Sequence, residues 1–336
     1  MRLSALLFCL LALVGIPQWA DAARAACGGE DLLATMPEAE LRLLRARSDA
    51  APHARGNLWR AERDGQVIHL VGTYHFDDAR HDARMERLVP ILDRARLLLV
   101  EAGPQEEAQL AEALLARPEF MYITEGPTLP ELLPEAEWQA LAEAMRDRGV
   151  PGFLAAKFRP WYVSMLLNLS PCALAEMRDG ARGLDHRIMA VAAGQGLEVA
   201  ALEPFDTLFR LFEGLSEDDE IGMIRSTLLV ADRADDMTHT LANAYFAGEN
   251  RLIWEFTLAE ALKVPGFAPA EVEAQFALME NVLMTARNRA WIPVLTAAAR
   301  EHGEVVAAFG ALHLPGAEGV LALLEVEGFT IEAQEF

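Results

Sequence analysis

The stretch QVIHLVGTYHFDDARHDARMERLVPILDRARLLLVEAG, residues 66–103, decides the fold. Gln66 to Val71 is a short apolar run that reads as a strand. Met85, Leu88, Leu92 and Ala95 then recur at helical spacing, and Leu97 to Val100 is an unbroken apolar run that reads as a second, buried strand. Strand, helix and all-apolar strand in this order make a βαβ unit with parallel strands. His75 and Glu101 each fall just past a strand, so the unit brings both to the same edge of the sheet. Open α/β sheets bind their ligands at that edge.

Outward from this unit the chain changes character and then returns to it. From LPELLPEAEWQALAEAMRDRG onward to about Arg300 the pattern is mostly helical, interrupted by Gly and Pro, with LEVAAL as one short strand candidate. At the end GEVVAAFG reads as a strand, GAEGVLALLEVEG as a helix and FTIEAQ as a last strand. The expected fold is α/β: a mixed, largely parallel central sheet built from the N- and C-terminal parts, with a helical middle. Residues 27–336 are expected to form a single domain with a helical insertion at about 120–300.

The first residues bear on compartment. MRLSALLFCLLALVGIPQWADAARAAC carries an apolar stretch too short to span a bilayer, followed by small residues, which reads as a secretory signal peptide over 1–26. The mature chain is then expected to be secreted across an inner membrane and to be periplasmic. Lipoprotein anchoring at Cys27 is the lesser reading, because Arg24 stands where such signals carry an aliphatic residue. No other stretch reads as a membrane span. Cleavage removes Cys9 and leaves Cys27 and Cys172, for which one disulfide is expected in an oxidising compartment; two unpaired thiols are the alternative. The net charge of −22 argues against a nucleic-acid partner.

Chemistry concentrates at strand ends. Gly72-x-x-His75 recurs as Gly310-x-x-His313, the second again just past a strand. Glycine permits a tight turn or close approach of a ligand, and imidazole suits borderline divalent metals. Two His with Glu101 leave open positions for water and substrate. Asp77, Asp78 and His81 lie near enough in sequence to be further ligands or supports. The plainer reading has His75 and His313 bonding their own loops and Glu101 solvated. Asp185 in RGLDHRI is either a helix cap or a support for the site. Arg287 and Asn288 in TARNRAW sit within a helix, from which both can reach the sheet edge. With no Gly-x-Ser-x-Gly elbow and no P-loop, what remains is metal-bound water or water activated by His and Glu.

In the order NLWRAERDGQVIHLVGTYHFDD, LLLVEAG, RGLDHRI, LMTARNRAW and VVAAFGALHLPGAEGVLALLEVEGFTI, the chain resembles the TraB/PrgY/GumN family from about Asn57 to Ile331. That family's relatives include the Tiki membrane-anchored metalloproteases and, more distantly, erythromycin-esterase and ChaN-like haem-binding proteins. The resemblance implies that Gly72 with His75, Gly310 with His313, and Glu101 form the site, with Arg287 and Asn288 on the family's polar helix motif. Tyr74 departs from the smaller aliphatic residue often found there. For Tiki-like members the implied activity is peptide cleavage dependent on a divalent cation, Mn2+ or Co2+. His75 and His313 would hold the ion, Glu101 would be ligand or base, and Arg287 would stabilise the oxyanion. The alternatives are a non-catalytic haem- or metal-binding accessory protein, and a metal-independent hydrolase using His and Glu on a peptide or small ester.

Overall fold

Six strands form one sheet: β1 (Leu58–Arg63), β2 (Gln66–Thr73), β3 (Leu98–Val100), β4 (Val199–Ala201), β5 (Glu304–Gly310) and β6 (Thr330–Ala333), in the order β4-β3-β5-β2-β1-β6. The computed structural model describes residues 28–336 except 266 and 267, so the expected signal peptide and Cys27 lie outside the described residues. β4, β3, β5 and β2 run parallel, while β1 pairs antiparallel with β2 and with β6. The sheet is therefore mixed and largely parallel, as expected, and both ends of the chain build it.

The sequence reading omitted β1. Its signal is the Asp64-Gly65 pair: both residues have positive φ, 52° and 78°, which is the two-residue turn that matches the twist of a hairpin. Register Arg63↔Gln66 closes it.

The two strands of the 66–103 unit are not neighbours. β5 from the C-terminal part lies between them, with Thr73↔Gly310 on one side and Val100↔Ala308 on the other. This insertion matters for the site, because it places the second Gly-x-x-His motif between His75 and Glu101.

Alternation along the strands sorts the core into two layers. Val71, Leu98, Val100, Val306 and Ala308 face α1 (His81–Leu92) and α2 (Leu184–Gln195), which contribute Leu88, Leu92, Leu184, Ile188 and Ala192. Ile68, Leu70, Leu99, Val305, Ala307 and Phe309 face α3 (Ala286–His302) and α4 (Val320–Val326), which contribute Trp291, Leu295, Leu321 and Leu324. Each fully buried Val, Leu, Ile or Phe among them contributes about 1.5–3 kcal/mol by leaving water. His69 sits at the margin, buried, with Nε2 2.9 Å from Glu304 Oε1.

The chain divides into two compact units. The sheet belongs to one, made of residues Leu33–Glu106, Ala181–Pro204 and Leu241–Phe336. The other comprises Glu107–Gly180, Phe205–Thr240 and the stretch up to Leu32. The helices expected at about 120–300 are thus shared out: Asn250–Leu262 and α3 go with the sheet. The second unit's core gathers Leu129, Leu141, Met145, Phe158, Trp161 and Leu166, with Phe120 and Phe209 stacked 4.5 Å apart. Its Arg148, 2% exposed, donates to the carbonyls of Leu166, Leu167 and Leu169, which closes the end of helix Pro160–Leu167. Cys172 lies in helix Pro171–Arg178. Among the described residues no helix is long and apolar enough to cross a membrane.

Candidate functional site

The two motif glycines have different reasons to be glycine, and neither is a turn. Gly72 is packed: a Cβ there would stand 2.7 Å from Leu314 Cδ1 and 3.0 Å from Ala311 Cα, so the first motif lies directly on the second. Gly310 leaves only a glycine-sized gap: a Cβ there would stand 3.3 Å from Glu101 Oε1, 3.4 Å from His75 Nε2 and 3.7 Å from His313 Cδ2, the first two closer than ordinary contact. Glu101, His75 and His313 therefore converge on one point at the carboxyl ends of three strands.

His75 follows β2 and is held from behind by the start of α2. Leu184 N–H donates to Tyr74 O at 3.0 Å, and a Cβ on Gly183 would lie 2.3 Å from the His75 carbonyl carbon. Only glycine allows that approach. It brings Asp185 Oδ1 to 3.4 Å from His75 Nδ1, while Oδ2 lies 2.9 Å from His186 Nδ1. Asp185 stands in the first turn of its helix, with its carboxylate beside the two imidazoles. Burial acts against an imidazolium at His75, but Asp185 and Glu101 outweigh it and raise its pKa to about 9. Solvent eases the burial penalty, since 55% of the side chain is exposed. Burial likewise opposes the charge on Asp185, yet His75 and His186 hold its carboxyl well below the usual range.

His313 is the opposite case. It is 2% exposed, and its Nδ1 lies 2.6 Å from Asn288 Oδ1. Its Nε2 lies 3.2 Å from Arg287 Nη1, and a guanidinium only donates, so Nε2 accepts and Nδ1 carries the proton. Burial, with Arg287 adding to it, pushes the pKa down to about 3. The ring is neutral, held in one tautomer, and packed 4.4 Å from Trp291.

Arg287 ties these groups together. It follows a π-helical turn, Asn281–Thr285, in which Ala286 N–H reaches back to Asn281 O. Nε and Nη2 grip Glu203 at 2.9 and 2.6 Å, Nη2 also reaches Glu101 Oε2 at 2.5 Å, and Nη1 serves Leu283 O and His313 Nε2. All five N–H groups are engaged. Arg287 is also buried, and as arranged it clamps Glu203, Glu101 and His313. Glu101 Oε1 accepts from Gly310 N–H at 2.6 Å. Burial would raise the Glu101 pKa, but Arg287, His75 and the Gly310 N–H keep it well below the carboxylate norm.

Asp77 and Asp78 do not join this group: they pair with Arg187 and Arg80. His81 is buried, with Nε2 2.9 Å from Phe76 O. Tyr74 does not crowd the gap by itself, for its ring stacks on Tyr245, whose hydroxyl donates to Gly72 O. Sequence reasoning missed Glu203 and Trp291. Glu203 had a signal: LEVAALE ends a strand in glutamate just as LLLVE does.

The fit of a metal follows from these bonds. His75 Nε2 and Glu101 Oε1 face one gap, but His313 Nε2 is turned to a cation of the protein itself, the Arg287 guanidinium. Among the described residues no group of three or more His, Cys, Asp or Glu side chains is arranged to hold a metal ion. As arranged, the residues do not fit one.

A family model described as the TraB/PrgY/gumN family matches residues 57–333, most of the chain and all of the side chains at this edge. No curated protein matches.

Proposed function

The chain belongs to the TraB/PrgY/gumN family, and on that premise we propose that its sheet edge is the active site of a hydrolase that uses His75 and Glu101 to activate water against the carbonyl of an ester or peptide. One observation carries the reading: His75, backed by Asp185, and Glu101 present Nε2 and Oε1 to the same gap over Gly310.

The roles follow from the bonds already made. Each carboxylate oxygen has two lone pairs, so Glu101 Oε1 can hold a water while still accepting from Gly310. The neutral imidazole of His75 takes a proton from that water at Nε2 as the oxygen attacks the carbonyl carbon. Asp185 stabilises the imidazolium formed. When the C–O or C–N bond breaks, the leaving group takes the same proton back from Nε2. Because the resting pKa is raised, turnover depends on the neutral fraction of His75 and climbs with pH toward about 9.

A divalent-cation mechanism with Mn2+ or Co2+ is the second reading, favoured by the shared gap of His75 and Glu101; it requires His313 to exchange Arg287 for the ion. The test is turnover of para-nitrophenyl acetate and of a quenched fluorescent peptide by the full chain. It is run with a chelator, with added Mn2+ or Co2+, and in His75→Ala. The expected result is chelator-resistant turnover lost in His75→Ala. Turnover that appears only with added metal favours the second reading. Stoichiometric uptake of haem or metal without turnover favours a binding protein. The N-terminal segment and the Cys27–Cys172 pair remain proposals for a secreted, periplasmic protein.

A further inference from the structure

We propose that Glu203 is a positioning residue: its two oxygens fix the Arg287 fork so that a single N–H is left for Glu101, which keeps Glu101 Oε1 aimed at the gap over Gly310. This rests on the hydrolase reading above.

The geometry is that of two carboxylates competing for one guanidinium. β3 and β4 are parallel neighbours in register Val100↔Ala201, so Glu101 and Glu203 both emerge just past their strand ends. Glu203 wins the paired edge of Arg287: Oε2 takes Nε at 2.9 Å and Oε1 takes Nη2 at 2.6 Å. Trp291 Nε1, 3.0 Å away, pins Oε2 in place. What remains for Glu101 is the second N–H of Nη2, to Oε2 alone. Oε1 is then left to Gly310 N–H and the gap. A planar fork with one carboxylate in reach pairs with it through both oxygens. Without Glu203, Arg287 would draw both oxygens of Glu101 toward itself and turn Oε1 from the position a water needs.

The test uses two variants of the full chain. Glu203→Gln removes the charge, and Trp291→Phe removes the indole N–H while keeping an aromatic ring in the core, which keeps the question open to experiment if Glu203→Gln fails to fold. In each, kcat and KM are measured on para-nitrophenyl acetate, and the amide proton of Gly310, bonded to Glu101, is followed by NMR. In Glu203→Gln the expected result is a fall in kcat of about 100-fold, the size that a displacement of about 1 Å produces, with KM within about twofold. The Gly310 resonance should move toward its position in Glu101→Gln. Trp291→Phe should move both in the same direction by less. A folded Glu203→Gln, or Trp291→Phe if that one alone folds, with kcat and the Gly310 resonance both as in wild type overturns the proposal. If the wild type turns over no substrate, the hydrolase reading fails, and the Gly310 resonance alone still decides the role of Glu203.

Discussion

GTYH and GALH are the same motif in two environments, and the difference lies in one atom behind each ring. His75 Nδ1 faces a carboxylate, Asp185; His313 Nδ1 faces an amide, Asn288. The first ring is half exposed and drawn toward the charged form, and the second is buried, neutral and locked between Asn288 and Arg287. A repeated motif at two strand ends thus makes one group that can exchange protons with a substrate and one that holds the frame. Motif symmetry is no guide to symmetry of role.

The sharpest way to break this comparison is to remove each ring. His75→Ala should lower kcat by about 10²–10⁴, the usual worth of a general base, with little change in Tm above about pH 9, where the wild-type ring is neutral. His313→Ala should instead unfold more easily, because it strips a buried partner from Arg287 and from Asn288 at about 1–3 kcal/mol for each group left unsatisfied. Paired assays of turnover and thermal melting check both; a His75→Ala enzyme of wild-type activity would refute its role.

Next in size is Arg287→Met. It leaves Glu101 and Glu203 as partly buried carboxylates without their cation; breaking a fully buried pair this way costs about 3–5 kcal/mol, and the loss here, read from denaturant unfolding, should be somewhat less.

The glycines extend the comparison to the backbone. Gly72→Ala overpacks the contact with Leu314 and Ala311 and should cost about 1–3 kcal/mol of stability. Gly310→Ala puts its methyl against Glu101 Oε1 and His75 Nε2 and should lose turnover while the fold stands. Equal stability losses in the two would mean that the gap over Gly310 has no functional use.

The smallest effects are in pH. Asp185→Asn removes the charge that favours the His75 imidazolium, so the rising limb of the pH–rate profile should move to lower pH while its height falls. Stability should slope in opposite senses on the two sides of neutrality. The proton on His75 contributes stability that is complete below 6.5 and is lost as pH rises through about 9. At His313 the unfolded chain takes up a proton below 6.5 that the folded ring refuses down to about 3, so stability falls as pH falls. Solvent screening makes the His75 slope the shallower one. Melting curves of His75→Gln and His313→Gln should each lose one of the two slopes.

The sequence carried the edge of the sheet better than what stands behind it. Apolar runs ending in His75, Glu101 and Gly310 were legible because strand ends and helix periodicity are local patterns. That β5 lies between β2 and β3 was not legible, since pairing between residues over two hundred positions apart leaves no local mark. The partners were hidden for the same reason. Asp185 read as well as a cap as a support, Asp77 looked as near to His75 as Asp185, and Glu203 entered no motif. Which carboxylate backs an imidazole depends on Gly183 letting α2 touch the His75 backbone, a contact of tertiary origin.

The measurement that goes most directly to the difference between the two motifs is a pH titration of the imidazole nitrogens of His75 and His313 by NMR, with His75→Gln and His313→Gln to assign them. His75 should titrate well above 6.5, near 9, and His313 should stay neutral with its proton on Nδ1 down to acid unfolding. Two rings titrating together near 6.5 would contradict the division of roles and return both motifs to one and the same function.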